Sequence, residues 1–378
     1  MRLTPPGFLR PVQTGPLAPE QDALISAICP GLGQSVEAGE RTDHSLWGPY
    51  VSMRTGWATD AETRYAGASG GGLSAILTHL VESGTVDAVI QVGADEASPI
   101  GNATVVTGDA RAIREAAGSR YAPSAPLADL SDRLDEHRTS GRRFAFVGKP
   151  CDAVALAALR AKDAEIREAI PVILSFFCAG VPSEEGARGV LAALGVGQGD
   201  VAAFRYRGNG WPGRATAMLK DGTERSMTYH ESWGGILSNH VQHRCKICAD
   251  GTGVAADIVC ADAWESDDKG YPVFDEAPGV SLIVSRTELG ERLVRAAEAA
   301  GAVETAPFDP EELAAIQPGQ RERRRALLAR LSALRLTGRP IPRYEGLHLA
   351  AAARQNPVRR NLKNFLGMLR RALRPRRT

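Results

Sequence analysis

Long apolar runs and a strong excess of either charge are both missing from this sequence. No uninterrupted apolar stretch approaches the roughly 20 residues that span a bilayer as a helix. The first 21 residues contain a Pro-Pro pair and no apolar stretch of the kind that marks a signal peptide. The formal net charge is +1, whereas nucleic-acid-binding domains usually carry a clear basic excess. These absences predict a cytoplasmic protein that binds no nucleic acid.

Cysteine is scarce, with six residues in a chain of 378. An apolar content of 43% and a charged content of 24% are those of an ordinary globular protein, long enough for two domains. In a reducing compartment a disulfide framework is not expected, so clustered cysteines serve more often as metal ligands or redox groups. The cysteines are therefore the first residues to explain; they are Cys29, Cys151, Cys178, Cys245, Cys248 and Cys260.

Short apolar strands alternate with helical patterns before residue 200. The predicted strands include VDAVIQV, RFAFVG and PVILSFF. Such alternation is typical of βαβ units, so the sequence predicts an α/β fold with a mostly parallel sheet and flanking helices. From about residue 200, short strands with glycine turns predict an antiparallel insertion. We divide the chain into an N-terminal extension, a segment with a glycine loop, a segment with most of the cysteines and a helical basic tail, over 1–64, 65–145, 146–317 and 318–378.

Two cysteines follow predicted parallel strands. RFAFVG leads into Cys151, and PVILSFF leads into Cys178, each before a helical pattern. Because consecutive βα loops of a parallel sheet lie at the same edge, these two cysteines are predicted to be neighbours in space.

Cys245 and Cys248 form a local Cys-x-x-Cys pair, whose spacing lets both thiolates face one metal centre. With Cys151 and Cys178 they can supply four thiolates, which suit either an iron–sulfur cluster or zinc. A redox disulfide and an accidental spacing are alternatives for the pair alone. Cys260, inside an apolar strand, is predicted to be a structural core residue, and Cys29 a structural or accessory one.

Two glycine-rich segments have different interpretations. Ser69-Gly70-Gly71-Gly72 precedes an amphipathic helix, so it predicts either a seat for a cofactor diphosphate at the helix N-terminus or a plain helix cap. A Gly-x-Gly-x-x-Gly pattern at 208–213 contains Pro212 and leads into a strand-like stretch rather than a helix, which excludes a dinucleotide fingerprint. That segment predicts a mobile loop with Trp211 at its tip, or else a surface hairpin.

An ordered set of motifs resembles the coenzyme F420 hydrogenase/dehydrogenase beta-subunit family. The resemblance covers about residues 65–320. Its motifs are ASGGGLSA at 68–75, GSRY at 118–121, GKPCD at 148–152, FFCAGVPS at 176–183, RYRGNGWPG at 205–213, CKICADGTGVAADI at 245–258 and DAW at 262–264.

The resemblance implies an oxidoreductase that uses FAD and one [4Fe-4S] cluster and moves electrons between coenzyme F420 or ferredoxin and a small-molecule substrate or a partner protein. The family's cysteine pattern matches Cys151, Cys178, Cys245 and Cys248, which would ligate the cluster. The residues predicted to contact flavin or substrate are Ser69, Gly70, Gly71, Gly72, Ser119, Tyr121, Lys149, Arg207, Asn209 and Trp211.

The chain departs from many family members at two points. It has no Cys-x-x-Cys-x-x-Cys run, which argues against a second cluster, and Lys149 stands where many F420-using members carry Thr. Relatives with Lys in this motif are often associated with exopolysaccharide biosynthesis. Two rival hypotheses are an electron-transfer subunit without its own substrate and a zinc-stabilised binding module.

The remaining candidates are two histidines and the C-terminal tail. His230 and His243 are candidates for acid–base catalysis, although most single histidines are structural. Residues 354–378 contain nine Lys or Arg and no acidic residue. Apolar residues are predicted on one helical face, at Val358, Leu362, Phe365, Leu366, Leu369 and Leu373. This pattern is typical of a helix on an anionic membrane, on the protein itself or on an acidic partner. Homo-oligomerisation is a further hypothesis.

Overall fold

The structure is a computed structural model that describes residues 1–263 and 275–373. Within these ranges the strands are β1 (Arg2–Thr4), β2 (Phe8–Arg10), β3 (Gly33–Ser35), β4 (Thr42–His44), β5 (Gly48–Tyr50), β6 (Ser52–Ala58), β7 (Ala88–Ala94), β8 (Asn102–Thr107), β9 (Phe144–Gly148), β10 (Val172–Phe176), β11 (Val201–Arg205), β12 (Arg214–Leu219), β13 (Glu224–Thr228), β14 (Ile258–Asp262), β15 (Ser281–Ser285), β16 (Val303–Pro307) and β17 (Arg343–Glu345).

The α-helices within the same ranges are α1 (Pro19–Ile28), α2 (Ala61–Ala66), α3 (Gly72–Glu82), α4 (Ala110–Glu115), α5 (Leu130–Ser140), α6 (Pro150–Lys162), α7 (Ala164–Ala169), α8 (Glu184–Ala193), α9 (Glu288–Ala299), α10 (Leu313–Ile316), α11 (Pro318–Leu336), α12 (Leu349–Arg354) and α13 (Val358–Leu373). Shorter helical turns cover Gln198–Asp200, His230–Ile236, Leu237–His240, His243–Ile247 and Pro310–Glu312.

An eight-stranded sheet forms the centre of the fold, in the order β16-β6-β15-β14-β10-β9-β7-β8. Strands β14, β10, β9 and β7 are parallel neighbours, and antiparallel strands flank them on both sides. Strand β6 runs in the same direction as these four strands, because it is separated from β14 by two antiparallel pairings. The prediction of an α/β fold with a mostly parallel sheet is confirmed, and β6 from the predicted N-terminal extension belongs to that sheet.

Helices cover both faces of the parallel centre. Along β9, Phe144 and Phe146 pack into one hydrophobic cluster, whereas Ala145 and Val147 pack into another on the opposite face. All five residues of this strand are buried, as expected for a parallel strand between two layers of helices. This burial fixes the sheet, so the loops at its carboxyl edge have a rigid support.

The predicted antiparallel insertion is confirmed as a separate three-stranded sheet, β11-β12-β13. Its core includes Phe204, Tyr206 and residues of α8. The Gly-x-Gly-x-x-Gly segment connects β11 to β12 and is not followed by a helix, so the exclusion of a dinucleotide fingerprint is also confirmed.

The C-terminal helices pack on the rest of the protein, with α11 against α13 and both against the segment that contains Ile247. The prediction of one apolar face for α13 needs a correction. Phe365 and Leu369 pack against this core, whereas an outward stripe remains exposed and consists of Val358, Leu362, Leu366 and Leu373. The predicted face divides because Met368 and Ala372 are buried against α11. Phe365 and Leu369 lie beside them on the helix and are therefore partly buried as well. Among the described residues, no helix combines the length and the apolar character needed to span a membrane.

Candidate functional site

Two neighbouring strand ends each lead into a cysteine. Strands β9 and β10 pair in parallel, with Gly148 opposite Ser175. Cys151 lies in the first turn of α6, directly after β9, and Cys178 lies just after β10. The two thiols are close enough that a Cys178 thiolate raises the pKa of Cys151. The sheet topology thus brings together residues that are far apart in sequence.

The Cys-x-x-Cys pair lies against the loop that follows β10. The backbone N–H of Val181 donates a hydrogen bond to Cys245 Sγ at 3.4 Å, and Gly180 N–H donates to Cys178 Sγ at the same distance. Gly180 has a φ of +113°, and a Cβ there would lie 3.1 Å from Cys245 Cβ, so a glycine is needed for this close approach. These N–H···S contacts are of the kind that stabilises thiolates around a metal centre.

The four thiols form one electrostatic group. Burial is the main cause that raises the pKa of Cys151 and Cys178, and it raises the pKa of Cys248 to about 12. A Cys245 thiolate further raises the pKa of both Cys178 and Cys248, and a Cys248 thiolate raises that of Cys151. Because each negative charge disfavours the others, the group is suited to carry several thiolates only when a cationic centre compensates them.

Two basic side chains face this group. Lys149 lowers the pKa of Cys151 and Cys178, and Arg323 lowers that of Cys178 and Cys248. Lys149 Nζ also contacts Asp152 at 2.7 Å and Ser124 Oγ at 2.7 Å. The protein therefore holds fixed positive charges beside the thiols.

The other two cysteines have different surroundings. Cys260 is buried in β14 among apolar residues, in agreement with its predicted structural role, and Cys29 ends α1. Among the described residues, no three His, Cys, Asp or Glu side chains are gathered tightly enough to hold a single metal ion. A four-iron cluster holds its thiolates farther apart than a single ion does. This finding therefore applies to single-ion sites and not to a site for a [4Fe-4S] cluster.

A cleft of about 530 Å³ adjoins the thiol group, and Cys178 forms part of its wall. Most of the residues predicted to contact flavin or substrate line it, namely Ser69, Gly71, Gly72, Ser119, Tyr121, Lys149 and Arg207. Gly70, Asn209 and Trp211 do not belong to its lining. The volume lies within the range usual for cofactor and ligand sites.

The glycine turn before α3 forms one end of the cleft. Gly71 has a φ of +68°, and a Cβ there would lie 2.4 Å from the Thr63 carbonyl oxygen. Gly72 N–H donates to Ser281 Oγ at 3.2 Å. Leu73 and Ser74, in the first turn of α3, line the cleft. The N–H groups of a first helical turn have no acceptors within the helix, so this end of the cleft favours an anion.

Arg207 anchors the segment that was predicted to be a mobile loop. Its guanidinium, with 2% of the side chain exposed, pairs with Asp262 at 2.7 Å and lies 4.8 Å from the centre of the Trp211 ring. Trp211 is only 8% exposed, and its backbone forms a β-bridge with Ala277. The prediction that Trp211 is the tip of a mobile loop is therefore wrong, because cation–π stacking and backbone pairing hold it in place. Trp264 of the DAW motif lies outside the described residues.

Two aromatic residues in the cleft were not predicted. Tyr229 and Trp233 line it beside Tyr121, whose ring lies 6.4 Å and 4.8 Å from theirs between ring centres. Their aromatic character was a signal in the sequence, but their position depends on the helical turn His230–Ile236, which periodicity does not reveal. Together the three rings form an aromatic wall.

The two histidine candidates lie elsewhere. His230 and His243 are both exposed, and neither lines the cleft. In the described part of the chain, both side chains therefore lie outside the wall of the cleft.

These features define an α/β protein with a ligand cleft and a group of thiols at the carboxyl edge of its sheet, as is usual for sites in such folds. Family models for the N- and C-terminal parts of the coenzyme F420 hydrogenase/dehydrogenase beta subunit match residues 53–131 and 141–311. The chain belongs to this family, which is named for a subunit of hydrogenases and dehydrogenases.

One similar solved structure is a chain of the F420-reducing [NiFe] hydrogenase complex from Methanosarcina barkeri, studied as a xenon derivative. The two chains share 20% sequence identity over 75% of this chain and 91% of that chain, with a TM-score of 0.58. At this identity the similarity establishes the fold. No curated protein matches the sequence.

Proposed function

We propose that this chain is an oxidoreductase that binds FAD in the cleft and one [4Fe-4S] cluster on Cys151, Cys178, Cys245 and Cys248. The observation that carries the proposal is the position of Cys178, which belongs both to the thiol group and to the wall of the cleft. A cluster on the four thiols and a flavin in the cleft would therefore be adjacent.

The residues of the thiol group fit an anionic metal–sulfur centre. The hydrogen bonds from Gly180 and Val181 to sulfur disperse negative charge, and Lys149 and Arg323 compensate it. When bound, a flavin supplies hydride and single-electron chemistry, and a [4Fe-4S] cluster supplies single-electron relay.

The cleft offers matching contacts for the parts of a flavin nucleotide. The first turn of α3 and the glycines before it would receive the diphosphate. Tyr121, Tyr229 and Trp233 provide apolar ring surface. The ion pair of Arg207 with Asp262 fixes the far wall and keeps the aromatic residues in place. We assign no acid–base role to His230 or His243.

The substrate and the electron donor follow from family membership only in outline. We propose coenzyme F420 or ferredoxin as the donor and a small molecule or a partner protein as the acceptor. A location in the cytoplasm, contact of α13 with a membrane, homo-oligomerisation and a link to exopolysaccharide biosynthesis stay predictions.

Anaerobic purification tests the cofactor proposal. The absorption spectrum, with iron, sulfide and flavin analysis, is expected to show about four iron and four sulfide per chain and one FAD. Cys248→Ser is expected to lose most of the iron while the chain still folds, because one of the four ligands is removed.

Cys29→Ser is the matched control, since Cys29 is also a partly buried free cysteine but is not one of the four proposed ligands. It is expected to keep its full iron content. Full iron in Cys248→Ser would contradict the ligand assignment, and one zinc per chain without iron or flavin would favour the zinc-stabilised binding module.

A further inference from the structure

A second pocket reaches the thiol group. This opening, here called the basic pocket, has a volume of about 360 Å³, and Cys245 forms part of its wall. It shares Ala179, Trp233, Gly319 and Arg323 with the cofactor cleft. The thiol group therefore borders the cofactor cleft through Cys178 and the basic pocket through Cys245.

Positive charge dominates the basic pocket. Its described lining contains Lys246, Arg323, Arg330 and Arg360 but a single carboxylate, that of Glu322. Glu322 is shared, because it contacts Arg360 at 3.0 Å as well as Arg321 and Arg325 at 3.3 and 3.7 Å. The single negative charge of Glu322 therefore does not balance the four positive charges in the pocket.

The charge extends over a surface larger than a small ion needs. Arg371, at the end of α13, is close enough to Lys246 for their charges to interact. Arg360 and Arg371 are eleven residues apart on one helix, which corresponds to about 16 Å. A cationic patch of this width is a surface for a protein.

The C-terminal helices contribute much of this pocket, and they lie beyond the ranges that match the family models. We infer that the basic pocket and the adjacent face of α13 dock an acidic one-electron carrier protein, which exchanges electrons with the thiol-bound centre. This inference rests on the proposed function, since it requires a redox centre on the four thiols.

The electron balance of this exchange is simple. A reduced carrier gives up one electron and is thereby oxidised. The centre on the thiols accepts that electron and is reduced. No bond or proton needs to move. Redox encounters of this kind are typically small and steered by charge, so they weaken as salt rises.

Two double variants with the same change of charge test the docking site. Arg360→Glu with Arg371→Glu reverses charges near Lys246, whereas Arg359→Glu with Arg370→Glu, the matched control, reverses two exposed charges on another side of the same helix. Each pair has the same spacing along α13, and each lowers the net charge by the same amount. The probes are an acidic [2Fe–2S] ferredoxin and an acidic flavodoxin, with calorimetry on the full, cofactor-loaded chain.

We expect the wild-type chain to bind at least one probe, more weakly at about 300 mM than at about 50 mM salt. The variant at Arg360 and Arg371 should weaken binding about tenfold or more, and the control variant less than about twofold. Equal effects of the two variants, or no binding of either probe to the wild-type chain, would overturn the inference.

Two further measurements separate the alternatives. Phosphatidylglycerol vesicles probe a lipid surface, and if the first variant loses vesicle binding but keeps carrier binding, the assignment to a protein is wrong. Reduction by dithionite tests the cofactors without docking. A chain without iron would refute the proposed function, whereas normal reduction by dithionite with unaltered carrier binding in the first variant would refute the docking site alone.

Discussion

The cofactor cleft and the basic pocket border the same thiol group but are built from different kinds of residue. Glycine turns and an aromatic wall line much of the cleft, whereas cations on α11, α13 and the Cys-x-x-Cys turn dominate the pocket. Much of the cleft lies within the ranges that match the family models, and the two helices lie outside them. The proposed cofactor site therefore lies largely in the part of the chain that matches the family models, and the proposed docking site depends on helices beyond that part.

The largest expected difference between the two regions is in how much an arginine of each contributes to the free energy of unfolding. Arg207 in the cleft is 2% exposed and paired, so Arg207→Ala leaves Asp262 without this cation and should lower the free energy of unfolding by about 3 kcal/mol or more. Arg360 in the basic pocket is 53% exposed, and Arg360→Ala should cost less than about 1 kcal/mol. Urea denaturation measures both. Equal losses would show that the two regions do not differ in this way.

The glycine turn allows a smaller and more local test of the cleft. Gly71 and Gly84 both have φ near +70°, so replacement of either by Ala costs about 1–2 kcal/mol of backbone strain. Only Gly71 also meets a backbone oxygen at 2.4 Å, whereas a Cβ at Gly84 meets nothing within 4 Å. Gly71→Ala should therefore lose bound FAD as well as stability. Gly84→Ala should keep its FAD, measured by flavin fluorescence after denaturation.

If both variants kept a full complement of FAD, the glycine turn would not belong to the flavin site. The proposed difference between the cleft and the basic pocket would then depend on the aromatic wall alone.

The sequence predicted the parts of the site that depend on chain topology. Strand–helix alternation was sufficient to predict that Cys151 and Cys178 lie at one sheet edge, because βα loops of parallel strands share that edge. The position of the Cys245 pair depends on contacts with Gly180 and Val181, which no local pattern specifies.

The failures of prediction concern residues whose positions depend on side-chain packing. The glycines around Trp211 predicted a mobile loop, but the buried Arg207 guanidinium stacks on that ring and fixes it. Periodicity placed Phe365 and Leu366 on the same face of α13, but packing on α11 buries much of one and leaves the other exposed. The burial of these residues depends on tertiary contacts that a single sequence does not specify.

The smallest expected effect concerns the outer stripe of α13. Leu366 is 51% exposed, so Leu366→Ser should change the free energy of unfolding by no more than about 0.5 kcal/mol and leave iron and FAD contents unaltered. A loss above about 1 kcal/mol that grows with protein concentration would mean that the stripe is buried against a second copy of the chain. Helix α13 would then contribute its outer stripe to an interface between two copies and Arg360 to the basic pocket, so the contrast with the cofactor cleft would lie in assembly as well as in docking of an electron carrier.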